Sequence, residues 1–224
     1  MSIAVIPGYN EEETIDSVLG ETEKYVDEVL YVDDGSTDDT VEIARDAGFN
    51  VLTYGKNIGK GFALRAGFHR ALETKHRRIV TLDSDGQHDP AYIPNFLEEL
   101  DKGMDMVLGS RYTERLYTRP RNVLGNFGLN FVTNFLSYGP HGFFRGQWLK
   151  DTQTGYRAFT CEALQKMNLE ANEYAIESEM IYEAARNRLS VVEIPIKVTM
   201  RVQGVGIMDG VRNGLHVIKR RFRL

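Results

Sequence analysis

The sequence predicts an α/β protein, a mostly parallel sheet held between two helical layers in a three-layer α/β/α arrangement. Three observations carry that reading. Four short runs rich in Val, Ile and Tyr recur near the start, SIAVIP, DEVLYVDDG, FNVLTY and RRIVTLD. Between them lie EEETIDSVLGETEKY, STDDTVEIARDAG and GKGFALRAGFHRALETK, each with apolar residues at helical spacing. Strands alternating with helices at this pitch indicate βαβ units. Finally, a polar cluster follows every strand run, and ligands of such sheets bind beyond the carboxyl ends of the strands.

Each element has its local reason. The first strand runs into Pro7, Tyr9, Asn10 and Glu11, and Glu11 to Glu13 suit the positive start of a helix. The second ends at Asp33 and Asp34; Gly35 makes the turn, Ser36, Thr37 or Asp38 caps the next helix, and Gly48 ends it. The third leads to Asn57–Lys60, where glycines and a lysine open a helix as a phosphate site would. The fourth leads to Asp83, Asp85 and Gln87, with Asp89 capping a helix whose first residue is Pro90. The continuation is a helix over 90–103, a strand over 105–111, an Asn- and Phe-rich segment over 122–138, and the stretch DTQTGYRAF. A long helix over 174–189, a strand over 191–198 and a closing helix from Met208 onward complete the chain.

The bulk numbers narrow the function. At 224 residues the chain fits one domain with a large core. A net charge of −5 argues against a nucleic-acid partner, which calls for a basic field. The single cysteine, Cys161, excludes an internal disulfide and a Cys-based zinc site and points to a reducing compartment. No apolar run approaches the roughly 18 residues of a spanning helix, and the start MSIAVIPGYNEEE lacks the basic flank of a signal peptide. The expected location is therefore cytoplasmic, with contact at a membrane surface left open.

The polar clusters carry the chemistry. Asp83 and Asp85 leave a buried strand together, and hard oxygen donors of this kind suit Mg²⁺ or Mn²⁺ bridging phosphates. Taken alone they also read as a solvated acidic turn. Asp33 and Asp34 can accept hydrogen bonds from a base N–H or a ribose hydroxyl. The five histidines are scattered without ligand spacing and read as non-catalytic.

In conjunction the motifs are specific. P-x-Y-N-E, V-D-D-G-S-x-D-x-T, N-x-G-K-G-x-A-x-x-x-G and D-x-D-G-Q-x-x-P, in this order, resemble the family 2 glycosyltransferases of the GT-A, Rossmann-like nucleotide-sugar fold. Among them the polyprenyl-phosphate (dolichyl-phosphate) hexose synthases resemble the chain most. The resemblance covers residues 3–200 or so, giving a transferase domain over 1–200 and a basic C-terminal helix over 201–224. It implies that Pro7, Tyr9, Glu11 and Asp34 hold base and ribose, with Lys60, Asp83 and Ser84 beside the nucleotide. It implies metal ligation of Mg²⁺ or Mn²⁺ by Asp85 and Gln87, with Asp83 close to the same ion. Arg111 of GSRY would lie near the sugar or the acceptor phosphate, joined on the acceptor side by Arg119, Arg121 and Arg157. Asp85, Arg111 and Arg201 would be the catalytic set. DTQTGYRAF is similar to the signature of the glucosyl branch, which favours a UDP-sugar over GDP-mannose. Arg201 stands where the family keeps an arginine against the donor phosphates, but the Ser-Lys that often follows is replaced by Gly206 and Ile207.

The acceptor follows from charge. A sugar hydroxyl needs its proton removed, whereas a phosphate monoester, with a second pKa of ~6, is mostly dianionic at neutral pH and needs cations instead. From 111 to 150 the chain has Arg111, Arg115, Arg119, Arg121, Arg145 and Lys150 against one acid, Glu114, interleaved with phenylalanines. That mixture suits a lipid phosphate at a bilayer surface, or apolar residues that cover the sheet beside solvated arginines; the C-terminal VRNGLHVIKRRFRL suits anionic lipid or is a basic surface helix, and a membrane-anchoring subunit is a further expected partner. Glu177 and Glu179, two apart on a helix, face different ways and cannot both serve one site; Glu179 reads as a surface or supporting carboxylate paired with arginine. The rival readings are transfer to a saccharide or protein hydroxyl with one of these glutamates as base, and a non-catalytic nucleotide-sugar-binding subunit of a membrane assembly. A nucleotidyltransferase would need a Gly-rich basic loop after the first strand, which is lacking.

Overall fold

The computed structural model describes residues 1–111 and 120–199, with 120–127 described by their backbone alone. Among these described residues seven strands form one sheet: β1 (Ser2–Gly8), β2 (Glu28–Asp33), β3 (Asn50–Thr53), β4 (Arg78–Thr81), β5 (Met106–Ser110), β6 (Arg157–Thr160) and β7 (Val191–Pro195). Their order across the sheet is β3-β2-β1-β4-β6-β5-β7. Six strands run parallel, and β6 runs antiparallel to both its neighbours, β4 and β5. The expected mostly parallel sheet is present.

The helices are α1 (Ile15–Glu23), α2 (Thr40–Asp46), α3 (Lys60–Leu72), α4 (Ile93–Asp101), α5 (Pro120–Phe144), α6 (Cys161–Lys166) and α7 (Ile176–Arg186). They divide between the two faces of the sheet. One core joins Ile3, Val5, Leu30 and Val32 to Leu64 and Phe68 of α3, Leu164 of α6, and Met180 and Ile181 of α7. The other joins Ala4, Ile6, Val29 and Tyr31 to Ile15 and Leu19 of α1, Ala44 of α2, and Phe96 and Leu100 of α4. Burial on both faces explains why β1 and β2 read as unbroken apolar runs rather than as alternating ones.

Two stretches without an expected element acquire one, and one expected strand is shorter. Segment 122–138, for which the sequence predicts no element, is helical, and α5 is two helical stretches joined across the non-helical Gly139 (φ 65°) before Pro140. The end of DTQTGYRAF, from Arg157, forms β6, and the run 191–198 stops pairing with β5 at Pro195. Beyond Pro195 the chain crosses to the β4–α4 loop, where Val198 bridges His88 and the Thr199 N–H donates to the Gln87 carbonyl at 3.0 Å. The closing helix and the whole proposed 201–224 segment lie outside the described residues.

Candidate nucleotide-sugar site

The chain runs outward from β1 through β2 to β3, then returns to β4 on the other side of β1. Beside the carboxyl ends of β1 and β4 there is thus a switch point, where open α/β sheets bind their ligands. The polar clusters expected at one edge meet there. A Cβ added to Gly8, at the end of β1, would stand 2.5 Å from Ser84 Oγ, so the two strand tips are in contact. The Thr14 hydroxyl lies 2.8 Å from the Ser84 carbonyl and 3.0 Å from Glu11 Oε2, tying the first loop to the fourth.

The first and second loops are stitched together as well. Asn10, at φ 54°, donates its N–H to Ser36 Oγ at 2.9 Å, and its Oδ1 accepts from the Thr37 N–H at 2.8 Å. Ser36 and Thr37 were expected to cap α2; they grip this loop instead, and Asp38 accepts from the Thr40 N–H at 3.2 Å at the start of the helix. Asp89 does cap, accepting from the Ala91 N–H at 2.9 Å, and Gly48 (φ 89°) follows the end of α2.

Asp34, expected against base or ribose, is buried and holds the loop entering α3. It accepts from the Tyr54 hydroxyl at 3.0 Å, the Ile58 N–H at 2.9 Å and the Gly59 N–H at 2.9 Å. Gly59 sits at φ 124°, where an added Cβ would strike the Asn172 carbonyl at 2.4 Å, so this turn requires glycine. The turn delivers Lys60 to the centre of the site. Its Nζ lies 2.6 Å from Asp83 Oδ1 and 2.9 Å from Glu177 Oε1. Burial alone would depress the lysine, but the two carboxylates outweigh it and hold it above its usual range. Burial would likewise raise Asp83, but Lys60 and then His88 outweigh it and bring the carboxyl down to about 2. Asp83 also rests on the backbone of Gly155, where a Cβ would come within 2.5 Å of Oδ1.

Asp83 is thus engaged by lysine, while Asp85 and Gln87 pair with each other: the Gln87 N–H donates to Asp85 Oδ1 at 3.0 Å, and its side-chain amide to Oδ2. Among the described residues no three His, Cys, Asp or Glu side chains gather as a self-contained metal site. An ion of the Mg²⁺ kind is commonly held by one or two carboxylates together with substrate phosphates. Asp85, half-buried at the strand tip with Gln87 beside it, has the donor chemistry for this.

Arg111 follows β5 and is clamped by the buried Asp151, with Nε 2.6 Å from Oδ2 and Nη2 2.8 Å from Oδ1. Arg157, expected at the acceptor phosphate, is instead fully buried. Its guanidinium donates to the carbonyls of Thr154 (2.8 Å), Glu177 (2.9 Å) and Thr152 (2.8 Å), which removes it from an acceptor role. Arg119 and Arg201 lie outside the described residues, as does the side chain of Arg121. Pro7 belongs to β1, and Tyr9 is exposed at the rim.

The glutamates of α7 do turn different ways. Glu177 meets Lys60, while Glu179 is fully buried and accepts the N–H groups of Glu170 (3.0 Å) and Ala171 (2.9 Å) through Oε2. A place on the helix surface is therefore excluded for Glu179. Sequence reasoning missed Glu177 as the second partner of Lys60, and Asp151 as the clamp on Arg111. The only signal was a carboxylate in each of two motifs already singled out.

An open α/β sheet with one antiparallel strand, whose switch point carries D-x-D on one loop and a lysine and an arginine on its neighbours, is a GT-A glycosyltransferase fold. The glucosyl-3-phosphoglycerate synthase from Mycobacterium tuberculosis, crystallised with Mn²⁺ and UDP-glucose, superimposes with a TM-score of 0.74 at 22% identity, covering 99% of this chain and 78% of that one. The family model for Glycosyl transferase family 2 matches residues 3–169, and the chain belongs to that family. The polyprenol monophosphomannose synthase of Mycolicibacterium smegmatis is 32% identical over 224 residues, 93% of this chain and 81% of its own. The dolichyl-phosphate hexose transferase of Haloferax volcanii is 34% identical over 199 residues, 87% and 81% of the two chains.

Proposed function

We propose that the protein transfers one hexose, or N-acetylhexosamine, with inversion, from a nucleotide diphosphate sugar to a polyprenyl or dolichyl phosphate. The observation that carries this reading is the ring of charges at the switch point. Lys60 and Arg111 face the loop of Asp83, Asp85 and Gln87 in a family 2 chain whose relatives over most of their length are named for lipid phosphates.

A sugar leaving its diphosphate becomes oxocarbenium-like while negative charge gathers on the departing phosphates, so the site must stabilise that charge. Pro7, Tyr9 and Glu11 line the base and ribose, Asp34 shapes the loop beneath the diphosphate, and Ser84 closes the floor. Asp85 and Gln87 would hold Mg²⁺ or Mn²⁺, which supplies Lewis-acid charge at the diphosphate. Lys60 adds a positive charge already fixed by two carboxylates, and Arg201 belongs to the same donor-side set. Arg111, with Arg119 and Arg121, receives the acceptor phosphate. No base is needed for a dianion, which agrees with a Glu177 already paired to Lys60. The glucosyl-like DTQTG favours UDP-sugar over GDP-mannose. With a lipid acceptor the enzyme would work at a membrane surface, in this reading its cytoplasmic face, with a membrane-anchoring subunit as a further partner.

The test is direct. Purified protein with Mg²⁺ or Mn²⁺, dolichyl phosphate and a panel of labelled UDP- and GDP-sugars should place label in the lipid, and chelation should abolish it. Label entering only a soluble saccharide would reject the acceptor, and turnover unaffected by chelation would reject the ion.

A further inference from the structure

Residues 149–152, part of the connection from α5 to β6, have no regular structure, yet each of their backbone N–H groups ends on a side chain. Leu149 donates to Asn134 Oδ1 at 2.8 Å, Lys150 to Glu193 at 2.9 Å, Asp151 to Glu193 Oε1 at 2.8 Å and Thr152 to Asn130 Oδ1 at 2.9 Å. Three carbonyls are met in the same way. Asn134 donates to Leu149 and Asn130 to Lys150, both at 2.9 Å, and Arg157 donates to Thr152 at 2.8 Å. Lys150 is exposed, but Asp151 and Thr152 are buried, and polar backbone away from water must be paired, which strands or helices normally do. Here α5, β6 and β7 order four side chains for four residues, which costs rotamer freedom at each. Such a segment is being held at one position.

What it holds is Asp151, fully buried, whose carboxylate takes the Nε, the Nη2 and the backbone N–H of Arg111. We propose that Asn130, Asn134 and Glu193 are positioning residues that fix Asp151 and, through it, the direction of the Arg111 guanidinium. The lipid phosphate then meets an arginine that is already oriented. Glu193 lies opposite Leu108 in the register of β7 on β5, the strand that delivers Arg111, so strand and clamp are referenced to the same sheet edge. The consequence for catalysis rests on the acceptor reading above; the positioning itself does not.

The experiment uses the full chain carrying Glu193→Gln, Asn130→Leu or Asn134→Leu, with Asp105→Asn as a control. Asp105 accepts from the Ser190 N–H at 2.8 Å at the far end of the same two strands, and loosens only that end. The readouts are the Arg111 Nε–H resonance, assigned with Arg111→Lys, the kcat/KM for polyprenyl phosphate, and the affinity for UDP. The clamp variants should broaden or shift the Arg111 resonance, and kcat/KM for the lipid should fall roughly 10- to 100-fold, the scale of a small misplacement of a reacting group. UDP affinity should stay unchanged, and Asp105→Asn should alter none of the three. Glu193→Gln keeps side-chain length and a carbonyl oxygen, so it keeps the test alive if the leucine variants fail to fold. An Arg111 resonance unmoved in every folded variant overturns the proposal, as does a loss of UDP affinity shared with the control. A displaced resonance with lipid kinetics intact upholds the positioning role and removes Arg111 from the acceptor site.

Discussion

Gly155 is the residue on which the position of Asp83 turns. A methyl added there would stand 2.5 Å from Oδ1 and 2.7 Å from Oδ2, closer than any relaxed contact, and the carboxylate would have to leave Lys60. We therefore expect Gly155→Ala to lower turnover about 100-fold through misplacement alone, with the melting temperature recorded beside it to separate misplacement from unfolding. Lys60 is the complementary case. Replacing it with Met leaves Asp83 and the nearly buried Glu177 without their cation, and breaking a buried pair from one side costs about 3–5 kcal/mol. Chemical denaturation at neutral pH should show a loss of that order, partly restored when Glu177→Gln is added. Lys60, Asp83 and Asp85 were legible in the sequence because each follows a strand run, where side chains must enter the crevice. Asp151 and Glu193 were not, since their partners lie 40 and more residues away and no local pattern marks a long-range clamp.

At the scale of elements, α7 shows how one helix serves two ends. Glu177 reaches the site, while Glu179 and Glu183, one turn apart, turn inward and hold the 168–171 backbone; Glu183 Oε2 accepts the Asn168 N–H at 3.0 Å. That backbone in turn supports α3, where the Phe62 N–H donates to the Asn172 carbonyl at 3.0 Å. Glu179→Gln should therefore cost about 1–3 kcal/mol of stability, the scale of a buried acceptor lost, while residual turnover persists. A Glu179→Gln protein of unchanged stability and no turnover would instead make it the base of a hydroxyl acceptor. The parallel strands and their helices were readable because burial on both faces writes an unbroken apolar run. β6 was not, since Arg157–Thr160 is four residues long and opens on a buried arginine, a residue that reads as surface or site. Helix α5 escaped for a related reason. Asn130 and Asn134 belong to the 149–152 clamp, and Phe131, Phe135, Phe143 and Phe144 are exposed, so no single apolar stripe marks its described part.

The whole molecule presents one side that a globular surface does not explain. Phe131, Phe135, Phe143 and Phe144 are 50%, 45%, 61% and 84% exposed. They form a connected patch: Phe131 stacks on Phe135 at 6.1 Å between centroids, and Trp148 meets Phe131 at 5.4 Å and Phe143 at 5.3 Å. Trp148 also donates to the Gly139 carbonyl at 3.1 Å, fixing the bend that places Phe143 and Phe144 beside the earlier turns. Residues 128–150 carry Arg145 and Lys150 and no acid. No helix among the described residues is long and apolar enough to cross a membrane. Aromatic side chains beside basic ones match the boundary between headgroups and acyl chains, where each basic residue adds about 1 kcal/mol on an anionic leaflet. The chain's one tryptophan, Trp148, lies within this patch and reports on it without a label. Anionic vesicles should shift its emission to the blue, and Phe143→Ser with Phe144→Ser should weaken vesicle binding at least about tenfold, given ~1.5 kcal/mol or more for a buried Phe. Raising salt should weaken it further, because exposed charges are screened beyond ~10 Å at 0.1 M. Activity on a short, water-soluble polyprenyl phosphate should survive the two serines. Unaltered vesicle binding in the serine variant, or equal loss on the short and long acceptors, would show that the patch serves the fold or the site rather than the bilayer.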